Sequence, residues 1–319
     1  MNFFKKIKID YYSKLIPDLV KQKNFSKLKD TIDKIYDLDK RTALILFRQY
    51  SADLADIPSR SFFDNNFIWI NSFLKADSEI ISNFLKYYFK SFSSQTISCL
   101  DYASELLKIN QSIQLHNGGF EYLVNDSYFY QYSIARHQPE KSIKFLNNQM
   151  AFFESDNKKM FTTLNITKCF FYIIRDPLEV LTILAPEGHQ DSAIMEFLNL
   201  DQKPITVHQG SYLLEVVRKD WQTNVKSWTS ENVIVGFNGL AINASDLVND
   251  PASVFSDVIA HLIQSGINLD LNYQLINDYI NNYMNEIKPI TKIDLSNHKK
   301  KLLNGITKTA QEWGYNINL

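Results

Sequence analysis

Glycine is scarce in this chain: there are 9 in 319 residues, and the first is Gly118. A long opening stretch without the residue that relieves tight turns favours continuous helices over closely spaced hairpins. Cysteine is scarcer still, with only Cys99 and Cys169, both in apolar surroundings and without CxxC or Cys/His ligand spacing. This excludes a disulfide framework and a zinc site, so no metal is expected, and it suits a reducing compartment. Charge of one sign is also lacking: 34 basic against 35 acidic residues leave a formal net charge of −1. No global field draws the chain to nucleic acid or to an anionic membrane, so any anion site must be local. The N-terminal "MNFFKKIKIDYYSKLI" has no uninterrupted apolar core or small-residue cleavage site, and no later run reaches membrane-spanning length. The expectation is a cytoplasmic protein with no membrane span.

Apolar and aromatic residues are plentiful. At 45% hydrophobic, with 22 Phe and 17 Tyr, the chain can bury a large core in one or two domains. From residue 3 to about 85 the apolar positions recur at helical spacing, as in "FSKLKDTIDKIYDL" and "NNFIWINSFLKADSEIISNFLKYYF". From about residue 125, β-rich runs alternate with helical ones: 127–135, 168–175 and 233–242. Alternation of this kind predicts an α/β fold, a central parallel sheet flanked by helices, with a helical N-terminal region. The organisation expected is a helical segment over 1–80 followed by an α/β domain over 81–319.

One stretch carries chemistry. "CFFYIIRDPLEV" is a buried-strand pattern that ends at Arg175, after which Asp176 and Pro177 read as a helix start. In an open parallel sheet, ligands bind beyond the carboxyl ends of the strands, beside the N-terminal amides of the helices that follow. A guanidinium in that position suits phosphate or sulfate. The alternative is a structural ion pair with a nearby carboxylate, and the segment alone leaves both open.

"YIIRDPLEV" resembles the segment of sulfotransferases that binds the 3′-phosphate of 3′-phosphoadenosine 5′-phosphosulfate. The Trp-containing helix, strand, "SDLVNDP" turn and helix of 210–267 and the closing "EWGYNINL" are similar to the same family in the same order, so the resemblance extends mainly over 133–319. It implies a P-loop sulfotransferase-like fold and sulfuryl transfer from that donor to a hydroxyl of a small molecule or saccharide. It assigns donor contacts to Arg175 and to Thr182, which adjoins Ile183 at the position where the family has Ser. The family's Lys-Ser-Gly-Thr-Thr loop after the first strand finds its nearest match in "FKSFSSQTIS", with Lys90, Ser91, Ser93, Ser94 and Thr96 but no glycine. The same residues also read as a helix end capped by hydroxyls. "SIARHQPEKS" is similar to the family's strand that ends at the catalytic histidine, which implies His137 as the base, with Lys141 or Lys90 as the cation on the leaving phosphate.

Three functional readings follow. One is a divergent sulfotransferase. The second is a catalytically degenerate sulfotransferase-fold binding or scaffold protein, which the absent glycine and Ile183 favour. The third is a helical interaction module with a structural Arg175. In each, the N-terminal helices are available to a protein partner.

Overall fold

The computed structural model describes residues 3–55, 67–92, 97–102, 123–137, 143–152, 162–164, 166–184, 197, 219–284 and 306–315. Its centre is a five-stranded sheet of β1 (Phe67–Ser72), β2 (Ile97–Asp101), β3 (Ile143–Asn148), β4 (Thr167–Ile174) and β5 (Gly239–Asn243). The spatial order is β2-β3-β1-β4-β5 and every neighbouring pair is parallel. Parallel neighbours cannot be joined by a hairpin, so helical crossovers cover both faces.

Side chains alternate between those faces. Phe67 and Trp69 of β1 join Phe170, Tyr172 and Ile174 of β4 in one core. Ile68 and Ile70 join Cys169, Phe171 and Ile173 in the other. The first core is completed by α1 (Phe3–Lys21), α2 (Phe25–Leu38), α3 (Lys40–Ala55), α5 (Leu123–His137), α6 (Pro177–Leu184) and α7 (Trp221–Thr229). The second is completed by α4 (Lys75–Phe92), α10 (Pro251–Gln264) and α11 (Tyr273–Tyr279). Two short helices, α8 (Glu231–Gly236) and α9 (Ala244–Asn249), flank β5, a π-turn (Ile280–Met284) continues α11, and α12 (Thr307–Glu312) closes the described chain. Among the described residues no helix is long and apolar enough to cross a membrane.

The N-terminal helices are tied to the body through α5. Arg136 reaches Asp33 and Asp37 of α2 at 2.5 Å each and stacks 4.9 Å above the ring of Tyr36, while the Tyr132 hydroxyl donates to Asp33. A guanidinium that pairs with carboxylates and lies over an aromatic face fixes the orientation of two helices at once.

Three sequence expectations are corrected here. Residues 67–72, read as helix, form β1, because four consecutive apolar residues buried on both sides carry no period that separates strand from helix. Residues 127–135, read as a strand from their aromatic content, lie in α5, where packing on α2 and α3 overrides β propensity. Of 233–242, only the part from Gly239 is strand; the preceding residues form α8. The strand expected over 168–175 is present as β4, hydrogen-bonded on both sides. Trp221 and Trp228 are buried, and the Trp228 indole donates to the Met150 carbonyl at 2.8 Å.

Two predictions follow from this packing. A Cβ at Gly239 would lie 2.2 Å from Cζ of Phe170, whose ring packs against Trp228. Gly239→Ala should therefore lower unfolding free energy by about 1 to 3 kcal/mol in urea titration, as overpacking does. The second concerns His261, buried against Phe171 with Nε2 2.9 Å from the Asn238 carbonyl. Burial lowers its pKa, and the carbonyl only partly opposes this. The neutral ring is thus preferred in the fold; its contribution is complete above about pH 6.5 and is lost as pH falls through the lower folded value. The thermal midpoint should drop over that interval, and His261→Gln should flatten that part of the profile.

Candidate functional site

The cleft outside the carboxyl ends of β1 and β4 is where this topology can present a ligand site. β1 ends at Ser72, whose hydroxyl donates to the Leu74 carbonyl at 2.5 Å, and α4 begins immediately afterwards at Lys75. The first turn of α4 therefore carries Lys75, Ala76, Asp77 and Ser78 to the end of an interior strand. Their side chains and the Asp77 amide are already engaged. The Asp77 amide donates to the Leu74 carbonyl at 3.2 Å and the Ser78 hydroxyl to the Lys75 carbonyl at 2.9 Å. Lys75 Nζ lies 2.7 Å from Asp101 at the end of β2 and 3.7 Å from Glu79. Asp101 raises the lysine's pKa, so the ammonium stays charged.

Arg175 enters from β4. Its Nε and Nη2 donate to one oxygen of Asp77 at 2.8 and 2.6 Å, and Nη1 donates to Glu179 at 2.8 Å. The pair is enclosed: the Asp77 side chain is 2% exposed and that of Arg175 is 11% exposed. Burial lowers the guanidinium's pKa, but Asp77 and Glu179 more than offset this and hold it above its ordinary value. Burial pushes the Asp77 carboxyl up, with Arg175 opposing. Asp176 accepts from the Leu178 amide at 2.8 Å and caps α6, as the Arg-Asp-Pro pattern predicts. Tyr315 closes the same end of the sheet by donating to the Ile174 carbonyl at 2.6 Å.

The other expected site residues are dispersed. Lys90 is exposed in the last turn of α4, about 20 Å along the helix from Asp77. Ser91 follows it, exposed, with its hydroxyl on the Tyr87 carbonyl at 3.0 Å. Ser93, Ser94 and Thr96 lie outside the described residues. Thr182 is half-buried in α6 and donates to the Leu178 carbonyl at 2.8 Å. His137 is the last residue of α5, so it stands at a helix end and not at the strand end that the resemblance implied. The pair that the fold does bring together with Arg175, Asp77 and Glu179, bears out the structural ion pair weighed for this arginine, although the sequence did not name its partners. The signal was present in "FIWINSFLKADSE", an apolar run, a polar break and a lysine at the start of a helix.

The rest of the described chemistry is sparse. Burial pushes the Cys99 thiol up to about 11 and Cys169 up to about 12, which leaves both unreactive at neutral pH. Among the described residues no group of three or more His, Cys, Asp or Glu side chains could hold a metal ion.

No family model and no curated protein matches the chain. Among solved structures, it is similar to mouse sulfotransferase SULT7A1, crystallised in complex with PAP, at 14% identity and a TM-score of 0.36. The match covers 69% of this chain and 65% of that one.

Arg175→Ala should lower stability by about 3 to 5 kcal/mol in denaturant unfolding, because it leaves the Asp77 carboxyl buried without its counter-charge. The double variant Arg175→Met/Asp77→Leu, which removes both charges, should recover most of the loss. An Arg175→Ala protein as stable as the parent would show that the pair contributes nothing.

Proposed function

We propose that this chain is a catalytically degenerate sulfotransferase-type protein, a binding or scaffold module whose donor pocket is filled by its own carboxylates. The observation that carries this reading is the Arg175–Asp77 pair. The family to which the sequence bears a resemblance follows its first strand with Lys-Ser-Gly-Thr-Thr, whose glycine lets backbone amides approach phosphate. Here β1 is followed by Lys75-Ala76-Asp77-Ser78-Glu79. The lysine is kept, and an aspartate occupies the place of the glycine. A carboxylate there takes up the guanidinium that the family uses for the 3′-phosphate, and it repels any incoming phosphate. At about 4 Å that repulsion is on the order of 4 kcal/mol per pair of unit charges in a partly solvated site.

A second reading rests on a different observation: Lys75 and Arg175, two cations, follow the carboxyl ends of neighbouring parallel strands. On this reading the chain moves a sulfuryl group from 3′-phosphoadenosine 5′-phosphosulfate to a hydroxyl acceptor. The donor phosphates displace Asp77 and Asp101 from the two cations, Thr182 adds a contact to the 3′-phosphate, and His137 takes the acceptor's proton.

Thermal-shift titration with adenosine 3′,5′-bisphosphate separates the two. The first reading expects no shift for the parent at millimolar nucleotide, and a gain of binding in Asp77→Gly/Glu179→Gln, where the guanidinium is released. Binding at a hundredfold excess over Kd raises stability by about 2.7 kcal/mol. A shift in the parent protein, together with sulfuryl transfer to a hydroxyl acceptor, overturns the first reading in favour of the second.

A further inference from the structure

Helix α1 carries two apolar faces. One holds Ile9, Ile16 and Leu19, all buried against the body of the protein. The other holds Phe3, Phe4, Ile7 and Tyr11, which are 70%, 72%, 50% and 60% exposed. At about 100° per residue these four fall within an arc of about 100°, directly opposite Ile9 and Ile16. Isolated exposed apolar residues are ordinary; four large ones on a single helical stripe mark an interaction surface.

The charge around the stripe identifies what it meets. Lys6 and Lys8 flank the arc on either side, both exposed, and Lys5 shares the first turns. No acidic residue lies in the first turn; Asp10 is the first in the helix, and it is paired with Lys14 at 2.7 Å. The positive end of the helix dipole lies at the same place. This is a local cationic field in a chain whose net charge is −1. We propose that α1 is a monotopic anchor that lays this stripe into the surface of an anionic lipid bilayer, with Phe3, Phe4, Ile7 and Tyr11 at the level of the headgroups and the flanking Lys6 and Lys8 on lipid phosphates. Aromatic side chains beside lysines suit that boundary, where apolar surface is buried while ammonium groups stay among phosphates. Ile9, Ile16 and Leu19 hold the helix along the body, and because the exposed Lys14 and Asp18 continue the line of the stripe, only the N-terminal turns meet the surface. The cleft of Lys75 and Arg175 is not involved, so this inference is independent of the donor question.

Flotation of the full chain with lipid vesicles tests it. The parent should float with vesicles of phosphatidylcholine and phosphatidylserine, not with phosphatidylcholine alone, and the binding should weaken as salt is raised. Lys6→Gln/Lys8→Gln should cut affinity by about thirtyfold. Phe3→Ser/Phe4→Ser/Ile7→Ser should also abolish flotation while leaving the thermal midpoint unchanged, since these side chains are exposed. Equal flotation with neutral vesicles, or undiminished flotation of either variant, overturns the proposal. So does concentration-dependent self-association that the serine variant removes in a protein that binds no vesicles, which would make the stripe a contact between copies.

Discussion

Strands β1 and β4 lie side by side in the interior of the sheet with both faces covered, and the remaining elements take their positions from that constraint. Ten residues of these two strands, five on each face, form the seam of two separate cores. Because neighbouring strands are parallel, each must be left by a crossover at its carboxyl end, and β1 and β4 are left at the same end of the sheet. The groups that follow them, Lys75 with Asp77 and Arg175 with Glu179, are thereby brought together. Their encounter follows from strand direction.

What meets there is self-satisfied. Two cations stand where an anionic ligand could be held, and each is already paired with carboxylates supplied by the chain: Lys75 with Asp101 and Glu79, Arg175 with Asp77 and Glu179. A buried ion pair gains little net stability over an apolar pair, because desolvation offsets the Coulomb attraction, whereas the loss of one partner is costly. Such a pair persists where both charges are retained together. Here it has the further effect of occupying the guanidinium's donors.

The chemistry is divided between the strand ends and the N-terminal helix. Arg175 and Asp77 are enclosed and engaged with one another, while α1 turns aromatic surface and lysines outward. Between them, α5 joins the N-terminal helices to the sheet through Arg136, Asp33 and Tyr36. Both proposals give the chain a binding role. One rests on what the cleft no longer offers, the other on what α1 still exposes.

The strand over 167–174 and the helix start behind it were legible from the amino acids alone, because an apolar run closed by Arg-Asp-Pro has few other structures available to it. The class of fold was also expected, although of the three β-rich runs behind that expectation 127–135 is helix and only the end of 233–242 is strand. β1 was not legible: its short apolar run merges with the helix after it, and burial on both faces removes the alternation that marks a strand. With β1 unread, Lys75 at the start of the helix that follows it was passed over, and the stretch matched to the family's loop was the one at Lys90, at the opposite end of α4. The helix at 127–135 was hidden for a related reason, its aromatic side chains being chosen for packing on α2 and α3. Arg175 could be assigned a strand end from sequence, but its partner could not, since Asp77 lies 98 positions away. Local patterns report the path of the chain and the burial of its faces. Which carboxylate faces which cation is decided by how parallel strands are placed side by side, and that is a property of the tertiary structure.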